Sequence, residues 1–115
     1  MDYFKDSEFN CNCCEEGTIV PELRILLNGA RAWAEIPFVI NSGFRCAKHN
    51  VLSGGSLTSS HLKGFAVDIA CDSSRARYKI MEALTMVGIK RVGLSKDFIH
   101  CDIDPDKVEK VVWVY

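Results

Sequence analysis

A chain of 115 residues, 48% of them hydrophobic, holds enough apolar material for one core and little for a second, so residues 1–115 read as a single domain. Fourteen basic against fifteen acidic residues give a formal charge of -1, which supplies no chain-wide field for nucleic acid or an anionic membrane. The opening MDYFKDSEFN lacks the basic start and apolar run of an export signal, and no apolar stretch nears the roughly 20 residues that span a bilayer. Synthesis in the cytoplasm, no membrane insertion, a monomer and reduced thiols for the six cysteines are therefore expected.

Residues 1–17 read as irregular, with Cys11, Cys13 and Cys14 crowded before Glu15-Glu16-Gly17. Pro21 suits a first helical turn, and Leu23, Leu26, Leu27, Ala30, Trp33 and Ala34 recur at helical spacing. Gly29 weakens this helix and Pro37 must stop it. Phe38-Val39-Ile40 is β-prone and ends at Asn41-Ser42-Gly43. Arg45 to Ser60, rich in Ser, Gly and Asn, reads as one long loop of the kind that is often functional. A strand is predicted over Phe65 to Ala70, then a helix over 74–87, capped by Asp72 or Ser73 and buried through Ile80, Leu84 and Val87. Gly88 stops that helix, and β-prone runs follow at Arg91–Leu94, Phe98–Ile103 and Val108–Val114. Two main helices with several short strands predict an α+β domain with a small antiparallel sheet.

Alternation places Ala66 and Asp68 on one face of the predicted strand and Phe65, Val67 and Ile69 on the other. An aspartate in so apolar a strand is costly to bury unless it is paired or binds a metal. His100 and Asp102 share a face in the same way, and if the two strands are neighbours, Asp68 and His100 converge across the sheet. His61, in the turn before the first strand, would close the set. Two imidazoles and one carboxylate suit zinc, with a position left for water. The competing reading makes each of them a separate core or surface polar residue, as single His and Asp side chains usually are.

Ser59-x-His61 through Gly64-x-Ala66-x-Asp68, followed by Phe98-Ile99-His100-x-Asp102, resembles the zinc D-Ala-D-Ala carboxypeptidase family, peptidase M15 type. That family includes phage endolysins and shares its fold with the hedgehog signalling domain. Ser42-Gly43-Phe44-Arg45 and His49-Asn50 look like its substrate-side segment, Gly54-Gly55 like its loop before the first zinc histidine, and Phe4 to Phe9 like the start of its smaller phage-type members. The resemblance runs from about residue 4 to residue 104. It implies a hedgehog/DD-peptidase-like fold, Zn2+ held by His61, Asp68 and His100, and Arg45 as the cation that grips a substrate carbonyl or carboxylate. Ser59 would orient the turn, bond the substrate backbone or act as a local cap. His49 matches no metal position and reads as loop-stabilising.

The general base has two candidates. Asp97 stands three residues before His100, at the family's acidic position, but alternation points it to the wrong face unless it sits in a turn or bulge. Asp102 is on the correct face, or instead orients a zinc-bound imidazole. The implied reaction is hydrolysis of peptide bonds in the stem peptides of bacterial cell wall, reached from the cytoplasm by phage-like release. The rivals are a catalytically inactive zinc module that binds wall peptide and a structural zinc domain of a larger assembly. Cys11-x-Cys13-Cys14 resembles half a thiolate metal site and stays open, while Cys71 and Cys101 are expected to pack.

Overall fold

The computed structural model describes residues 1–115. Helix α1 (Pro21–Ala34) begins on Pro21 and ends at Glu35, whose φ of 57° turns the chain before Pro37. It buries Leu23, Leu27, Ala30 and Ala34, whereas Trp33, at the flank of that stripe, is 51% exposed. Strand β1 (Ile40–Ser42) lies further along than the predicted run, and its pairing with the next strand slips between Ile40 and Ser42. The expected loop from 45 to 60 contains a helix, α2 (Ala47–Leu52), too short to show a helical period.

Strand β2 (Ala66–Ala70), helix α3 (Ser74–Met86), and strands β3 (Arg91–Leu94), β4 (Phe98–Asp102) and β5 (Val111–Val114) complete the chain. The Ser73 hydroxyl accepts the Ala76 N–H at the start of α3, so Ser73 is the cap. The sheet order is β1-β2-β4-β3-β5. Its pairs are antiparallel except β3 with β5, which run parallel, so the sheet is mixed and not wholly antiparallel. The cause is the short connection 103–110. It leaves β4 at the end where β3 begins, and β5 starts from that end along the free edge of β3.

The two long helices pack on each other and on one face of the sheet, in a core that joins Leu23, Leu27, Ile80 and Leu84 to Val67, Ile69, Val92 and Ile99. Cys71 and Cys101 are buried in that core, as expected. Alternation sends the neighbouring strand residues to the opposite face, which no helix covers. That face carries Asp68, His100 and Asp102, the architecture is α+β, and the polar residues are buried there by loops and by β5.

Candidate metal centre and cavity

Asp68 and His100 stand directly opposite each other in the antiparallel β2–β4 pair. His61 arrives from a tight 3-10 turn, Ser60–Lys63, that ends on Gly64 with φ 76°. A side chain at Gly64 would place its Cβ 2.8 Å from the Thr18 carbonyl oxygen, so the turn can close only over glycine. Ser59 lies beside the site and its hydroxyl accepts the His61 N–H at 3.3 Å, which makes it a local cap. The closest ligand-type atoms of His61, Asp68 and His100 all lie within 4.8 Å of one another, and all three residues are buried.

Each imidazole is oriented by its second nitrogen. His61 Nδ1–H donates to the Gly43 carbonyl at 2.7 Å, which turns Nε2 toward the site, 3.3 Å from Asp68 Oδ1. His100 Nε2–H donates to Asp102 Oδ2 at 2.7 Å, so Nδ1 faces the same Asp68 oxygen at 3.0 Å. Two ring nitrogens and a carboxylate oxygen thus converge, an arrangement that either a proton between ring and carboxylate or a shared cation stabilises. Burial opposes charge on Asp68, but hydrogen bonding and attraction from His100 and His61 outweigh it and hold the carboxyl well below the usual carboxylate range. The donor set, two imidazoles and one carboxylate with their outer nitrogens anchored, fits zinc.

Around this point opens a cavity of about 350 Å³. Arg45 lines it. Its Nε donates to Ser42 Oγ at 2.9 Å and its Nη2 to Asp68 Oδ2 at 3.0 Å, so the guanidinium sits beside the oxygen that the imidazoles leave unused. Asp102, 1% exposed, also lines the cavity but is engaged on both oxygens, by His100 and by Arg91 Nε at 2.7 Å. Asp97 is not part of the lining: it lies exposed on the turn before β4, while Phe98 takes the cavity side. The turn that could have swung it toward the site leaves it exposed instead. His49 sits on α2 outside the cavity, with Ser53 Oγ 3.4 Å from its Nε2.

Several neighbours went unforeseen. Trp113 and Tyr115 wall the cavity from β5, with the Trp113 ring centroid 5.5 Å from that of His100. Their period-2 spacing was visible, but the parallel pairing that aims them here was not. Asp104, fully buried, accepts the Ser60 hydroxyl at 2.7 Å and Lys63 Nζ at 3.1 Å, tying the His61 turn to the chain after β4. It continues the every-second-residue series of His100 and Asp102. With this geometry in place, a family model described as Peptidase M15 matches residues 2–102. No curated protein matches the chain.

Proposed function

Because the chain belongs to the peptidase M15 family, whose members are generally zinc-dependent, we propose that it is a zinc peptidase acting on the stem peptides of bacterial peptidoglycan. The observation that carries this reading is the convergence of His61 Nε2, Asp68 Oδ1 and His100 Nδ1 on an open cavity beside Arg45. Zinc held by these three residues would supply Lewis acidity, polarising an amide carbonyl and easing loss of a proton from water. Arg45 grips a carbonyl or terminal carboxylate of the peptide and orients it for attack. Asp102 keeps the His100 proton on Nε2 and so leaves Nδ1 open. Phe98, Trp113 and Tyr115 give the peptide an apolar wall. No helix is long and apolar enough to cross a membrane. Release to the wall, as in phage-type lysis, and action as a monomer belong to the proposal.

A second reading, a zinc-holding module that binds wall peptide without cutting it, draws on one observation. Asp68 and Asp102 are the only carboxylates lining the cavity, and both are engaged. Neither is a ready acceptor for a water proton. Release of new amines from purified cell wall separates the readings. Amine release that a chelator stops and zinc restores supports the peptidase. Retention on wall with no amine release from any preparation leaves the binding module.

A further inference from the structure

Away from the cavity, a second group of metal-ligating side chains comes together. The Sγ atoms of Cys11, Cys13, Cys14 and Cys46 all lie within 4.8 Å of one another. Cys11 and Cys13 are 3.6 Å apart, and Cys13 and Cys46 are 3.3 Å apart. Four thiolates placed tetrahedrally about 2.3 Å from a zinc ion would stand about 3.8 Å from each other. The spread fits that polyhedron with only small adjustments.

Local structure explains how one short segment offers three thiols. The Glu15 N–H donates to the Cys11 carbonyl and the Cys11 N–H to the Glu16 carbonyl, both at 2.8 Å, and Glu15 takes a left-handed φ of 61°. The chain therefore doubles back over residues 11–16 and turns Cys11, Cys13 and Cys14 to one side. Cys11 and Cys14 have the two-residue spacing common in thiolate zinc sites, with Cys13 inside the loop. The fourth thiol comes from far along the sequence. Cys46 caps α2, where its sulfur accepts the His49 N–H at 3.4 Å, and its own N–H donates to Cys11 Sγ at 3.3 Å. Backbone donors aimed at sulfur favour thiolate over thiol. A single disulfide would join two of these sulfurs and leave the other pair stranded beside it.

We propose that Cys11, Cys13, Cys14 and Cys46 bind a second, structural divalent ion of the thiolate-preferring class, namely zinc, in an all-sulfur site distinct from the His61–Asp68–His100 centre. The four-ligand set is closed, so the site staples and does not catalyse. What it staples is specific. Cys46 follows Arg45, whose N–H donates to the His61 carbonyl, and Phe44 N–H donates to the Phe9 carbonyl. The ion would pin the N-terminal segment to the residue next to the cavity arginine and hold that loop in a small domain with a limited core.

Elemental analysis combined with zinc-edge X-ray absorption tests this on the whole chain. Wild type is expected to carry two zinc equivalents, with sulfur and nitrogen or oxygen neighbours in comparable number. His61→Ala/His100→Ala should keep one equivalent with a pure sulfur shell, and Cys13→Ser/Cys46→Ser should lose that equivalent. If the cysteine variant fails to fold, the wild-type spectrum decides. One equivalent without sulfur neighbours, or a disulfide among these four residues in the mass of the unreduced protein, overturns the proposal. Because each equivalent has its own ligand signature, loss of the histidine site would leave this result readable.

Discussion

His100 shows its two ring nitrogens to two carboxylates, Nε2 to Asp102 and Nδ1 to Asp68. Asp102→Asn keeps an acceptor for the ring but removes the charge that makes His100 a stronger ligand. Zinc affinity at this centre should fall roughly 10–100-fold, as for other partners of a metal-binding histidine, and chelator competition measures it. Wild-type affinity in that variant would deny Asp102 the role. Asp97, exposed on its turn, should behave differently: Asp97→Asn is expected to leave amine release within about twofold of wild type. A loss of the roughly 10²-fold or more that a positioned base supplies would return Asp97 to the chemistry. Arg45 spans Ser42 Oγ and Asp68 Oδ2 with one planar group. Lysine keeps the charge but not the span, so Arg45→Lys should weaken peptide turnover roughly tenfold, the worth of one charge-assisted hydrogen bond. Its zinc content should stay normal. Unchanged turnover and binding in Arg45→Lys would remove this residue from the site.

Strand β3 meets the site through a glycine. Gly93 pairs with His100 on one side and Trp113 on the other, and a Cβ there would lie 2.5 Å from Trp113 Nε1. The missing side chain is what lets the indole lie over the sheet, with the Arg91 guanidinium 5.0 Å from its centroid. Gly93→Val must push the indole outward. The expected result is red-shifted Trp113 emission, read in a Trp33→Phe background, weaker peptide binding, and a stability loss of about 1–3 kcal/mol from overpacking. Emission and binding unchanged from the parent would show that β5 is not the wall of this cavity. Helix α2 contributes differently, since its buried Asn50 donates to the Ser56 carbonyl and steadies the loop that borders the cavity.

Across the whole molecule, Asp104 joins the segment that carries His61 to the segment that carries His100. Burial opposes its charge, but the Ser60 hydroxyl, the Asp106 N–H and Lys63 lower its pKa below the ordinary 3.8. Lys63 and Lys107 face it, Lys107 at 3.9 Å, and Asp106 shares Lys63. The unfolded chain thus takes up this proton first as pH falls. The stabilising contribution is complete above 3.8 and is lost as pH drops through the lowered folded value. Asp104→Asn should lower the urea midpoint at neutral pH, and the gap to wild type should narrow in acid. A gap constant with pH would mean that the charge on Asp104 contributes nothing.

By itself the sequence determined the features that travel with local period and turn chemistry. Alternation put Asp68 with Ala66 on one face of β2 and His100 with Asp102 on one face of β4; Pro21 and a cap at Asp72 or Ser73 started the long helices; Gly64 marked the turn that delivers His61. These are short-range rules, because φ/ψ preference and side-chain direction are settled within a few residues. Tertiary structure alone decided which strands lie side by side and what reaches the metal centre. The parallel docking of β5 brings Trp113 and Tyr115, and the turn that enters β4 leaves Asp97 outside the cavity. Cys46 meets Cys11 across 35 residues because the segment after β1 runs beside the N-terminal one, with Phe44 N–H on the Phe9 carbonyl. Neither encounter has a signature in spacing, since contact between distant segments is selected by the packing of the whole core.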